Sequence, residues 1–331
     1  MNTWCAEGYE LVKGDLAKID RTLLSVAAAA VEPLRTVCRE VLAGGGKRIR
    51  PALLALASRA VRGAGHEPDG AVTLLGAAVE AVHVASLLHD DVVDGAALRR
   101  GRVSANAAWG DAMSIFAADY LFAAVFSELA SPGNVELLKY LSAAVAEMCE
   151  AEALQASSSH DASAGEDRYL RIIEGKTAAL MSAACRIGAL LGGADEAKAD
   201  ALATYGRSFG LAFQMTDDLL DLTGAASEVG KAPGSDVRSG YFTLPLIRLR
   251  DRLSGDDLGR FHAVTARGSH LSDDDIQWLT ATADATGVIE ECTGIAAAAV
   301  EQAVDALAPL AASPASDALA ALARGLVHRR G

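Results

Sequence analysis

The sequence predicts an all-α fold, a single large helical bundle occupying residues 1–331. Three observations carry this. Hydrophobic residues make up 51% of the chain and aromatics only 5%, with alanine throughout, a balance that favours helices over strands. Apolar positions recur at three- and four-residue intervals, and no stretch alternates convincingly as a strand would. There is no internal repeat, no heptad array and no linker long enough to separate domains, so ten or more helices are expected around an oily interior.

Taken in order, residues 6–42 read as two helices. Leu11, Leu16, Ile19, Leu23, Leu24 and Val26 form the first stripe, and Pro33 stands where the second can begin. Residues 44–51, Gly-Gly-Gly-Lys-Arg-Ile-Arg-Pro, are a glycine-rich basic loop whose backbone N–H groups and cations suit phosphate oxygens. A helix over 51–61 follows, then a long one from Pro68 and Asp69 to Asp94. Residues 99–102 are a short basic connection, and 106–110 a turn region. Helices are expected over 111–130 and 135–156, with a polar loop over 157–165. The helix over 169–191 has Gly175-Lys176-Thr177 in its middle, which predicts a local kink. The helix over 196–222 has Asp195 as its N-cap. A loop over 223–240 leads to a helix starting at 243–246, and two or three Ala-rich helices fill 273–324.

Charge and cysteine usage exclude several classes. The formal net charge of −13 argues against a nucleic-acid partner and against electrostatic docking on an anionic membrane. Cys5, Cys38, Cys149, Cys185 and Cys292 are odd in number and lack CxxC spacing, so they read as reduced thiols of a cytosolic protein. Glu7, Glu10 and Asp15 leave no signal-peptide pattern. The oily run over 112–127 is broken by Asp119 and too short to cross a bilayer. A soluble, cytoplasmic protein without a transmembrane segment is expected.

The chemistry lies in a recurrence. His89-Asp90-Asp91-Val92-Val93-Asp94 follows an apolar helical run, and Asp90 and Asp94 lie one turn apart on one face. Such carboxylates repel unless a cation lies between them. One such motif is often no more than a solvated acidic helix end. Here Asp217-Asp218-Leu219-Leu220-Asp221 repeats the pattern after a second apolar run. Two such motifs suit Mg²⁺, which takes a few carboxylates and shares the rest of its shell with substrate phosphates. His83, two turns before Asp90, joins as a candidate ligand for the substrate.

Residues 44–247 resemble the trans-isoprenyl (polyprenyl) diphosphate synthase family. The resemblance rests on the 45–51 loop, the first acidic motif, Arg99-Arg100-Gly101 and Asn106. It continues through Asp119-Tyr120, Gln155, Lys176-Thr177, Phe213-Gln214, the second motif, Gly230-Lys231 and Thr243-Leu244-Pro245, all in family order. It implies the isoprenoid-synthase helical bundle around a central apolar cavity. It also implies a homodimer and a head-to-tail prenyltransferase that condenses isopentenyl diphosphate with an allylic diphosphate. Catalysis is expected to involve Asp90, Asp91, Asp94, Lys176, Asp217 and Asp218. Three Mg²⁺ ions would be held by Asp90, Asp94, Asp217 and Asp221 with the allylic diphosphate between the motifs. Arg99, Lys176, Thr177, Gln214 and Lys231 would hold that diphosphate, and Lys47, Arg50, His83 and Arg100 isopentenyl diphosphate. Two positions depart from the pattern. Gly240 is followed by Tyr241 and Phe242, so Tyr241 stands where the resemblance implies a Lys and one cation is missing unless Arg238 replaces it, and Ala151-Glu152 replaces a Gly-Glu.

Ala85 and Ser86, small residues one turn before Asp90, leave the expected product tunnel open. A product longer than C15, in the C30–C50 range, is expected, with the floor at Phe116, Tyr120 or Phe122. Three other readings compete: a geranylgeranyl-length synthase, a class I terpene cyclase and a non-catalytic partner subunit. The basic loop at Lys47 argues against the cyclase, and six retained motif carboxylates argue against the subunit.

Overall fold

The computed structural model describes residues 6–28, 31–63, 70–99, 101–130, 135–224 and 233–327. The described chain runs through α1 (Ala6–Val26), α2 (Leu34–Ala43), α3 (Ile49–Arg62) and α4 (Gly70–Val93). A short antiparallel ladder of β1 (Leu98–Arg99) and β2 (Arg102–Val103) follows. Next come α5 (Ala105–Trp109), α6 (Asp111–Leu129), α7 (Val135–Ser157) and α8 (Glu166–Ile173), then a π turn (Glu174–Ala178) and α9 (Ala179–Leu191). The chain continues through α10 (Glu196–Thr223), α11 (Ser235–Arg238), α12 (Leu244–Arg252), α13 (Gly255–Thr265), α14 (Asp273–Ala285), α15 (Val288–Asp305) and α16 (Pro314–Val327).

The all-α prediction holds, with local corrections. The basic connection is a hairpin, paired Leu98 to Val103 and Arg99 to Arg102, and Gly101 turns it with φ of 73°. The expected turn at 106–110 is instead the single helical turn α5, capped by Ser104, whose Oγ accepts from Ala107 N at 3.4 Å. Helix α13 occupies a stretch to which the sequence pattern assigns no element. The Asp195 cap is as expected, with Oδ1 accepting from Lys198 N at 2.9 Å. The expected kink at 175–177 is the π turn.

Contacts divide the chain into two compact units, one comprising Met1–Ala146, Leu180–Gly206 and Val304–Leu322, the other Glu147–Ala179, Arg207–Ala303 and Ala323–Gly331. In the first, α4 packs against α1, α3 and α6. Leu53, Leu54, Leu75 and Leu121 are fully buried there, and so is Tyr205, whose hydroxyl donates to the Leu319 carbonyl at 2.7 Å. In the second, Tyr169, Ile173, Met215, Leu219, Leu244, Leu249, Phe261 and Leu279 form one apolar cluster. A capping box at Ser272 and Asp275 starts α14.

Helices α4 and α6 are long and apolar enough to cross a membrane by length and composition alone. The apolar window of α4, not the 112–127 run, is the more hydrophobic, and 67% of it is buried inside the protein, as expected of a core helix. In α6 only 33% of the window is buried, and Phe116 is 59% exposed.

Candidate active site

The first unit holds the first acidic motif on the last turn of α4. Asp90 is half-buried and Asp94 exposed. Asp91 differs. It is 3% exposed and accepts from Arg99 Nε at 2.7 Å, with Arg99 Nη2 closer still. The turn after α4 makes this possible by bringing β1 back to the helix end: Gly95 has φ of 60° and Ala96 N donates to the Asp91 carbonyl at 2.9 Å. Arg99, expected on the substrate, thus has an internal carboxylate partner. His89 faces α6, its Nε2 3.4 Å from Asp119 Oδ1 and its ring 6.0 Å from that of Phe122.

Of the basic loop, Lys47 is exposed, and its carbonyl accepts from the Tyr9 hydroxyl. Arg50 and His83 are half-buried. Arg48 belongs to the structure rather than to a ligand: it bonds Glu80 Oε1 at 2.7 Å and Asp20 Oδ1 at 2.9 Å, and Glu80 is 2% exposed. A buried carboxylate needs such a partner. Arg100 and Lys231 lie outside the described residues.

Val84, Leu88, Asp91, Arg99, Val41 and Trp109 line a cavity of about 400 Å³. Val84, Leu88 and Asp91 occupy a face of α4 roughly a quarter turn from that of His83 and Asp90. On the expected tunnel path, Ala78, Val79, Val82 and Ala85 are buried and Ser86 is half-buried. Phe116 points outward and Tyr120 and Phe122 are half-buried, so Phe116 does not serve as a buried floor.

The second unit assembles the other motif around the π turn. A Cβ on residue 175 would stand 2.6 Å from the Glu147 carbonyl oxygen, and one on residue 210 would stand 2.5 Å from Ala178 Cα. Glycine at both positions lets α7, the π turn and α10 approach closely. That approach puts polar side chains from three segments within reach. Lys176 Nζ bonds Gln155 Oε1 at 3.0 Å and Glu152 Oε1 at 2.7 Å. Thr177 Oγ1 donates to Gln214 Oε1 at 2.8 Å, and Gln214 Nε2 donates to Asp218 Oδ1 at 2.9 Å. Tyr169 donates to Asp218 Oδ2 at 2.7 Å.

Asp218 therefore repeats Asp91: the middle carboxylate of each motif is buried and bonded internally. Burial pushes the Asp218 carboxyl up to about 7, against its bonds from Tyr169 and Gln214. Asp217 is half-buried. Asp221, expected as a metal ligand, caps α11: Oδ1 accepts from Ser235 N at 3.1 Å and Ser235 Oγ at 2.7 Å, and Oδ2 from Asp236 N at 3.0 Å. Arg238 does not replace the missing lysine, because it donates to the Leu271 carbonyl and to Asp273 Oδ1 at 2.9 Å. Sequence reasoning missed Tyr169. Its signal was its place seven residues, two helical turns, before Lys176.

Among the described residues no three His, Cys, Asp or Glu side chains converge as a ready-made metal cage. Solvent-reaching carboxylates such as Asp90, Asp94 and Asp217 fit an ion that completes its shell with water and phosphate, as Mg²⁺ does.

Comparisons with known proteins place the chain in a family. Residues 31–280 match the family model described as Polyprenyl synthetase. The chain is 39% identical over 238 residues to the octaprenyl diphosphate synthase of Escherichia coli K12, covering 72% of each chain. It is 36% identical over 298 residues to an all-trans-nonaprenyl-diphosphate synthase of Rhodobacter capsulatus, covering 89% of each. Its fold matches a polyprenyl synthase from Caulobacter crescentus solved with calcium and isoprenyl diphosphate, with a TM-score of 0.91 and 35% identity over 99% of this chain and 98% of the other. On the matched length, the order of the motifs and the shared fold, the chain belongs to the polyprenyl synthetase family.

Proposed function

We propose that the chain is a trans-polyprenyl diphosphate synthase that adds isopentenyl diphosphate head to tail to an allylic diphosphate and makes a product longer than C15, within C30–C50. The observation that carries this is the shared design of the two acidic motifs. Each turns its middle aspartate inward, onto Arg99 or onto Tyr169 and Gln214, and leaves its first aspartate within reach of solvent. Relatives named octaprenyl, nonaprenyl and decaprenyl diphosphate synthases support the long product.

Asp90, Asp94 and Asp217 are the proposed ligands for three Mg²⁺ ions that arrive with the allylic diphosphate. Asp221 joins them only if it releases the N-terminus of α11. Bound Mg²⁺ supplies neutralisation of the charge that grows on the leaving pyrophosphate. Lys176, held by Glu152 and Gln155, adds a fixed cation for the same oxygens, and Lys231 is the proposed second cation. Lys47, Arg50, His83 and Arg100 bind isopentenyl diphosphate. The small, buried residues before Asp90 keep water from the cationic carbon while the new C–C bond forms. We place the enzyme in the cytoplasm as a homodimer, joined through the exposed apolar face of α6 that carries Ile115 and Phe116. The chain acts as one catalytic domain.

The test is incubation with radiolabelled isopentenyl diphosphate and farnesyl diphosphate, with and without Mg²⁺. A Mg²⁺-dependent elongated product, read by mass, is expected. A hydrocarbon from farnesyl diphosphate alone would instead identify a terpene cyclase. No turnover would favour a subunit role, a reading supported by 37% identity to the heptaprenyl diphosphate synthase component 2 of Geobacillus stearothermophilus.

A further inference from the structure

Arg48 ties four helices of the first unit together. It is the N-cap of α3, and each guanidinium nitrogen meets an acceptor on a different helix. Nε donates to Asp20 Oδ1 of α1 at 2.9 Å, Nη2 to the Leu42 carbonyl of α2 at 3.1 Å and Nη1 to Glu80 Oε1 of α4 at 2.7 Å. Glu80 is 2% exposed, so its carboxylate needs this charge. The backbone of Arg48 stands at φ 49° and ψ 37°, in the left-handed region that a side-chain-bearing residue rarely adopts. Such a conformation persists where the surroundings over-determine it, and the three bonds do that here. The residues on either side are the ones assigned above to isopentenyl diphosphate. Lys47 is exposed, with its carbonyl held by the Tyr9 hydroxyl, and Arg50 lies on the first turn of α3. His83 follows Glu80 by three positions, one turn along the same face of α4.

We propose that Arg48 and Glu80 are a positioning pair for isopentenyl diphosphate: the bond between them fixes the left-handed turn that sets Lys47 and Arg50 relative to His83. The inference rests on the synthase reading above, in its assignment of those three residues. Neither member of the pair touches the substrate, because Glu80 is buried and all three guanidinium nitrogens of Arg48 are on protein acceptors. The opposite role for Arg48, a direct bond to the diphosphate, makes the opposite prediction. Neutralising Glu80 would then release the arginine to the ligand and tighten binding. For a positioning pair the same change loosens the turn and weakens binding.

The experiment measures the Michaelis constants of isopentenyl diphosphate and farnesyl diphosphate, and kcat, for Arg48→Lys, Glu80→Gln and their combination in the full-length protein. Lysine keeps a charge for Glu80, but one ammonium cannot serve three acceptors on three helices. Each single variant is expected to raise the isopentenyl diphosphate constant about tenfold, the effect of one bond to a charged group, and to leave the farnesyl diphosphate constant and kcat within about twofold. The combination is expected to be no worse than the weaker-binding single variant, since both break one bond. An equal rise in both constants marks a general structural role and overturns the inference, and so does a lower isopentenyl diphosphate constant in Glu80→Gln. Lys47→Ala separates the inference from the reading beneath it. Raised constants in Lys47→Ala with wild-type values in the pair variants overturn the inference alone, and a wild-type protein that does not elongate farnesyl diphosphate overturns both. Should Glu80→Gln fail to fold, Asp20→Asn takes its place: Asp20 is half exposed, and its loss breaks a second of the three bonds with the same expected split between the two constants.

Discussion

Arg99 Nε lies 2.7 Å from Asp91 Oδ1, although they stand eight positions apart, one on the last turn of α4 and the other on β1. The pair locks the end of α4, so Asp91 and Asp90 should behave oppositely when removed. Asp91→Ala is expected to cost about 2–3 kcal/mol of stability, because Arg99 is only partly exposed and loses a buried partner. Asp90→Ala should change stability by no more than about 0.5 kcal/mol and abolish Mg²⁺-dependent turnover. Thermal melts and a Mg²⁺ titration of activity on both variants check this.

Gly175 should tolerate nothing larger. Its added Cβ would meet Glu147 O at 2.6 Å and Ala151 Cβ at 2.7 Å, both on α7. Gly175→Ala is expected to destabilise by about 2 kcal/mol through overpacking and to weaken allylic diphosphate binding as Lys176 and Thr177 shift. Gly14→Ala is the contrast: nothing lies within 4 Å of its added Cβ in α1, and the change should stabilise by up to about 1 kcal/mol. Urea unfolding of the two variants measures the difference.

Ala85→Phe should shorten the product. Ala85 is fully buried one turn before Asp90, and a ring there would project across the path assigned to the growing chain. Chromatography of the product alcohols reads the length directly. An unchanged distribution would move the tunnel to another face of α4, such as the one bordering the Val84 and Leu88 cavity.

Asp218 predicts a pH dependence of metal-free protein. Burial raises its carboxyl from 3.8 to about 7, with Asp217 and Asp221 adding to the rise. Between those values the folded chain keeps a proton that the unfolded chain has released, so stability falls as pH rises across that window. Urea midpoints in chelator should be higher at pH 5 than at pH 7.5. Asp218→Asn should remove this component of the slope.

The helices were largely legible because each carries a continuous apolar stripe, and the acidic motifs were legible because they repeat. Asp195 and Gly175 signalled a cap and a kink through local chemistry alone. What the chain order concealed were pairings across distance. Asp91 and Asp218 look identical in sequence to their neighbours, and only Arg99 and Tyr169, brought by β1 and by α8, reveal them as inward-facing. Arg48 read as a phosphate clamp until Glu80 and Asp20 claimed it. Asp221 looked like a ligand because nothing local announces that Ser235, fourteen residues on, will use it as a cap. Helix α5 was hidden by its length, since a single turn has no periodicity to read.

The π turn at Glu174–Ala178 acts as one surplus residue threaded into an otherwise continuous helical path from α8 to α9. Deleting any one of those five residues would let ordinary helical winding resume with α8 and α9 in nearly their present orientation, and would change which side chains the turn presents to α7 and α10. Lineages of this sequence should therefore accept substitutions on the outer side of the turn far more readily than a change in its residue count.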